Sequence, residues 1–232
     1  MGRTFSILSS KRDILELHVV NRGNYPLNRD GIKEYKCDRH DISNLIQILP
    51  DITFDAVVDF CGYEPGDISS IISAAHDRIS QYIFISSCAI YDSKDGSMKS
   101  EGSLLCAEHS YDNPVSSYIT KKIILESELS KACTEYGVPY TILRPAFIYG
   151  PFNYAPRESF FIEKILKHER VPILTDSTSQ FSLVYSMDIT YALERIISDR
   201  RAYNEIFNLA APERITYASL IEELRQINGH AL

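Results

Sequence analysis

Three polar residues have the types and the spacing for proton-transfer chemistry. Ser87 closes the apolar run Tyr82-Ile83-Phe84-Ile85, Tyr118 follows 31 residues later, and Lys122 stands four beyond it. Residues four apart on a helix share a face, so a helix here would hold the Lys122 ammonium beside the Tyr118 ring. An unperturbed phenol titrates near ~10 and is a poor base at neutral pH. A neighbouring cation favours the phenolate and brings the group toward its working range. Ser87 adds a hydroxyl, and Ser86 a second one. The bland alternative is local: the serines satisfy backbone at a strand end, and Tyr118 lies on the surface of an amphipathic helix. A further polar block follows, Arg144-Pro145-Ala146-Phe147-Ile148-Tyr149-Gly150-Pro151, directly after the apolar run 140–143.

The elements that must position these residues alternate between strand and helix. Short apolar runs predict strands over 15–21, 31–37, 54–60, 80–86 and 138–143. Helical spacing predicts helices over 42–49, 67–75 and 116–136, with Asp67 near the start of the second. Strands separated by helices pair in parallel through right-handed crossovers, which gives an α/β fold with a doubly wound parallel sheet. In such sheets ligands sit beyond the carboxyl ends of the strands. Asn21-Arg22, Asp38-Arg39, Asp59, Ser86-Ser87 and Arg144 all fall at those ends. Turns are polar in any case, but five together mark one edge of the sheet.

Composition narrows the function classes. A chain of 232 residues can bury a full core, as one domain or as a large one plus a small one. Hydrophobic residues at 44% and charged ones at 24% are ordinary for a soluble globular protein. The net charge of −7 argues against broad binding to nucleic acid or to an anionic membrane. Five cysteines without a Cys-x-x-Cys pair read as reduced thiols, and no metal site is expected. No apolar run approaches membrane-spanning length, so the expectation is a soluble, cytoplasmic protein.

A lone Tyr-x3-Lys is weak, because a chain with 15 Tyr contains about one by accident. The ordered set is stronger: a strand ending in Ser-Ser, then Tyr-x3-Lys, then a strand ending in Arg-Pro-x3-Tyr-Gly-Pro. It resembles the extended short-chain dehydrogenase/reductase superfamily, in particular its NAD-dependent epimerase/dehydratase family, from about Gly2 to the Asn208 region. The resemblance implies a Rossmann-like dinucleotide-binding domain over 1–145 and a smaller substrate-binding region over 146–232. No strand and no Gly-x-x-Gly-x-x-Gly turn precede the first helix, so the expectation is an N-terminal truncation. The strand thus lacking would be central, flanked by those ending at Asn21 and Asp59. The substrate-binding region is likewise expected to be incomplete.

The family's roles carry over position by position. Tyr118 would be the acid/base, and Lys122 would lower its pKa and hold the nicotinamide ribose. Ser87 would donate to the reacting oxygen; it is preferred to Ser86 because it stands four before Tyr91. Gly2 matches the last glycine of the phosphate-binding turn. Asp38 would accept from the adenine amino group, and Arg39 would stack on the ring. Asn21 and Arg22 occupy the ribose position, where an Arg suits a 2′-phosphate, so the cofactor would be NAD or NADP, with NADP slightly favoured; Arg22 as a mere turn residue is the alternative. Phe60, Cys61, Ser86 and Pro145 complete the implied cofactor-binding set.

On the substrate side the resemblance implicates Ser87, Phe147 and Arg157. Nucleotide-sugar members commonly carry an Asn at position 147 and an Arg at 181, where this chain has Phe147 and Phe181. Arg157 is left as the anion-binding candidate, or else as a surface ion pair with Glu158 or another acid. Elimination of water needs an Asp-Glu pair after the serine, and this chain has Cys88 and Ala89 there. The implied reaction is therefore hydride transfer, as an epimerase or reductase acting on a sugar-like small molecule, with nucleotide sugars as the candidate class. The alternatives are a truncated inactive relative, or an NAD(P)-binding regulatory or RNA-associated protein. A homodimer packed through the Tyr118 helix is implied as well.

Overall fold

Asn113 and Pro114 start the helix that matters most. The Asn113 side chain accepts from the amides of Val115 and Ser116, and proline fits the first turn because its missing N–H would have no partner there. The helix ends where Gly137 takes up φ +70°, the left-handed conformation glycine adopts without strain. In this computed structural model, which describes residues 1–12, 14–107, 111–153, 156–172 and 178–229, the helix is the fourth of seven.

The order is α1 (Gly2–Arg12), β1 (Leu17–Asn21), β2 (Ile32–Lys36), α2 (Ile42–Ile48), β3 (Val57–Asp59), α3 (Asp67–Ala75), β4 (Tyr82–Ile85) and α4 (Pro114–Tyr136). Then come β5 (Tyr140–Pro145), β6 (Phe147–Tyr149), α5 (Glu158–Leu166), β7 (Leu183–Tyr185), α6 (Ser186–Ile196), β8 (Glu205–Leu209) and α7 (Tyr217–Gly229). The fold is the expected α/β arrangement of parallel strands and helices. A four-stranded sheet runs β3-β4-β5-β8, β1 pairs with β2, and β6 pairs with β7, every ladder being parallel.

One difference from the sequence reading stands out. The strand expected over 54–60 shrinks to Val57–Asp59, with Phe54 in an isolated bridge to Ile79. Among the described residues no ladder joins β1 to β3, the two strands between which the sequence reading expected one to be lacking.

Alternation along β4 builds both layers. Tyr82 and Phe84 face Ile68 and Ile72 of α3 and Leu125, Leu129 and Cys133 of α4. Ile83 and Ile85 face Phe5 of α1 and Ile189 and Leu193 of α6. All four β4 side chains are buried, as expected of a strand covered on both faces. Burying each such side chain is worth roughly 1.5–3 kcal/mol, so β4 fixes where Ser86 and Ser87 emerge. Among the described residues no helix is long and apolar enough to cross a membrane.

Candidate active site

Lys122 is the best-anchored member of the set. Its side chain is 3% exposed, and its ammonium donates to the carbonyls of Gly62 and Ile85 at 2.9 Å each. It lies 5.9 Å from the Tyr118 ring centroid, 4.9 Å from that of Tyr63 and 4.6 Å from that of Phe84. Burial disfavours the charged form and lowers Lys122 to about 8, against the pull of Asp59, Cys61 and Glu126. The spacing on α4 thus delivers the predicted Tyr118–Lys122 pairing. A cleft of about 260 Å³ opens beside it, lined by Tyr63, Glu64, Pro114, Ser117, Tyr118, Lys121 and Lys122.

The serines sit two and one residues past Ile85. Ser86 donates its amide to Leu143, while its hydroxyl is buried with no hydrogen-bond partner among the described residues. Ser87 is half-buried, and its oxygen accepts from the Ala89 amide at 3.2 Å, capping the short turn 88–90. That bond uses a lone pair and leaves the hydroxyl proton free to donate. The Cys88 thiol turns inward, donating to the Arg144 carbonyl, and burial pushes its pKa up to about 11.

At the β3 end the polar residues bind one another. Arg39 grips both oxygens of Asp59 at 2.9 Å and donates to the Asp67 carbonyl. Burial works against its charge, yet the bonds to Asp59 hold its pKa above the ordinary value. Asp59 also accepts from the Tyr82 hydroxyl at 2.8 Å and from the Cys61 amide. Arg39, read from sequence as a ring-stacking group, therefore has its guanidinium committed to an ion pair.

The remaining candidates are spread along the same edge. Asp38 accepts from the His40 amide and ring, which lowers its pKa, and Arg22 contributes to that shift from an exposed position. Asn21 donates to Glu34 and accepts from the Gly23 amide, a local turn. Gly2 packs on Phe60, where a Cβ would meet the ring at 3.1 Å. Cys61 is exposed, and Pro145 ends β5 against Leu209.

Phe147 and Arg157 come together. The guanidinium lies 5.4 Å above the half-exposed Phe147 ring and donates to the Ile148 carbonyl. Phe147 in turn packs edge to face on Phe181 at 5.4 Å. Glu158 accepts from the Gly150 amide, and among the described residues it forms no ion pair with Arg157.

Several partners within the site went unremarked in the sequence, where Tyr91 served only to choose between the serines. Gly62 is required where it stands, since a Cβ would lie 2.9 Å from Phe84. Glu126 and Tyr91 bind Arg144: the carboxylate takes Nε and Nη2 at 3.0 and 2.6 Å, and the Tyr91 hydroxyl takes Nη1 at 2.7 Å. Tyr91 then donates to Asn208. Glu126 carried a usable signal, lying four residues past Lys122 on the same helix face.

Comparison with known proteins gives the context. The family model described as NAD dependent epimerase/dehydratase matches residues 6–210. The chloroplast stem-loop binding protein of 41 kDa b of Arabidopsis thaliana is 29% identical over 198 residues, covering 85% of this chain and 49% of that protein. The dTDP-D-glucose 4,6-dehydratase of Homo sapiens is 23% identical over 224 residues, covering 90% and 61%. The chain thus spans about half to three fifths of the length of these relatives. Among solved structures, the UDP-glucose 4-epimerase of Thermotoga maritima with UDP-glucose superposes with TM-score 0.78 at 21% identity, covering 98% of this chain and 79% of that one. The UDP-glucuronic acid 4-epimerase of Bacillus cereus, in complex with UDP-glucuronic acid and NAD, gives 0.79 at 18%, covering 98% and 80%. At such identities the likeness shows the fold.

Proposed function

Since the chain belongs to the NAD dependent epimerase/dehydratase family, we propose that it serves hydride transfer at a hydroxyl or carbonyl carbon of a sugar-like substrate, as an epimerase or reductase. The observation that carries this reading is the buried Lys122 beside Tyr118, lowered to about 8 at the carboxyl end of β4. Tyr118 takes or returns the hydroxyl proton, and Lys122 favours the phenolate by its charge. Ser87, its oxygen already accepting from Ala89, donates to the reacting oxygen.

The residues fit a nicotinamide dinucleotide, which when bound supplies the hydride acceptor or donor. The buried, unpartnered Ser86 hydroxyl and the Lys122 ammonium would hold its nicotinamide end. Asp38 and Arg22 would hold the adenosine end, and the Arg22 fork favours NADP. We assign 1–145 to the cofactor and 146–232 to the substrate. Elimination of water is disfavoured because Cys88 and Ala89 supply neither a ready acid nor a ready base; the Cys88 thiol titrates at about 11.

The test is a titration of the chain with NADPH and NADH, followed by thermal unfolding and by hydride transfer from UDP-sugars to NADP+ and NAD+. Saturable binding that raises the melting temperature is expected by mass action. No binding and no stabilisation would overturn the assignment. A second reading, RNA binding, has in its favour the 29% identity to a stem-loop binding protein. The net charge of −7 weighs against it, and an electrophoretic shift with a stem-loop RNA decides between them.

A further inference from the structure

Glu126 lies four residues past Lys122 on α4, the spacing at which a lysine and a glutamate reach each other along a helix. Both are buried, at 3% and 7% exposure. A buried ammonium gains more from a carboxylate than from two neutral carbonyls. Yet Lys122 binds the carbonyls of Gly62 and Ile85, and both Glu126 oxygens are taken by Arg144 from β5, at 3.0 and 2.6 Å. The planar fork of an arginine matches a carboxylate in two places at once, which a lysine cannot do.

We propose that Arg144 is a positioning residue for Lys122: by occupying both oxygens of Glu126 it denies the ammonium the carboxylate one turn along its own helix and keeps it aimed at Ile85, beside Tyr118. The bearing on catalysis rests on the role proposed above for Lys122; the competition among the three charges does not. The other charged and titratable groups around them belong to different elements. Asp59, Arg39 and Cys61 face Lys122 from the β2 and β3 ends. Tyr91, Cys88 and Glu101 face Arg144 from the chain after β4.

The test follows the Lys122 side chain by carbon NMR during a pH titration of the full chain. In Arg144→Met the freed carboxylate captures the ammonium, and the Lys122 midpoint rises by on the order of 1 unit or more. Adding Glu126→Gln to that variant removes the competitor and returns the midpoint to the wild-type region. A merely structural role for Arg144 predicts no such rescue. Should Arg144→Met fail to fold, Arg144→Lys serves, since a single ammonium cannot fill both oxygens; the expected rise is smaller and in the same direction. An unchanged midpoint in the single variant, or a double variant displaced like the single one, would overturn the proposal. NADPH binding by the same samples separates the two claims: a wild type that binds none refutes the proposed function while the charge competition stands on the titration alone.

Discussion

The Lys122 ammonium meets the Ile85 carbonyl at 2.9 Å, two residues before Ser87, so the helix carrying Tyr118 is bonded to the strand that delivers the serines. One side chain thereby fixes the depth of α4 against the sheet and the place of the charge.

That burial has a sign in stability. Lys122 titrates at about 8 when folded and near ~10.4 when unfolded. Between those values the unfolded chain binds more protons at this site, so the site makes stability rise with pH across that window. The full amplitude is at most about 3 kcal/mol. Lys122→Met lacks the slope. The melting-temperature difference, wild type minus variant, should grow in favour of wild type from pH 8 to 10; a flat difference would count against a lowered lysine.

Tyr118→Phe removes a hydroxyl from the half-buried face of α4 and leaves the ring that Lys122 approaches. Hydride transfer should fall by roughly 10²–10⁴-fold, while NADPH affinity and melting temperature stay near wild type. Activity retained at the wild-type level would remove Tyr118 from the chemistry.

Asp59→Asn should cost about 3 kcal/mol in urea unfolding, because the Arg39 guanidinium would keep its charge and lose its two-point carboxylate, with only the more distant Asp67 left at 3.7 Å. The Tyr82 hydroxyl loses its charged acceptor as well. A loss below about 1 kcal/mol would place the pair among surface ion pairs.

Gly150→Ala should destabilise by about 2 kcal/mol or more. Gly150 has φ +112°, and a Cβ there would lie 2.5 Å from the Tyr185 ring. Thermal unfolding of the variant measures the loss, and near-native stability would show that the loop after β6 shifts to admit a methyl.

The sequence made the Tyr118–Lys122 face legible because helical spacing is a local property; the Asn113-Pro114 start of α4 is a local signal too, but the reading passed over it and began that helix at 116. The polar strand ends were legible as an edge, but their partners were not. Arg39 reads as a free planar cation until folding brings Asp59, 20 residues away, within 2.9 Å. The carbonyls of Gly62 and Ile85 carry no side-chain mark at all. Glu126 was within reach of the spacing rule, yet its role depends on Arg144, which only the β4–β5 ladder brings alongside. The gap between β1 and β3 was expected from the family's strand order and not from local pattern, since ladders form between segments distant in sequence.

The three charges also impose an order on the growing chain. Glu126 leaves the ribosome four residues after Lys122 and 18 residues before Arg144. While α4 is new, the carboxylate within reach of Lys122 has no arginine to hold it, and the two are free to pair along the helix. On the competition proposed above, arrival of β5 is expected to exchange the partner and release the ammonium to the Ile85 carbonyl. Assembly of the nascent sheet thus sets the lysine last. Pulse-labelled refolding should show the Ile142 and Leu143 amides protected no later than the Lys122 side chain reaches its final environment.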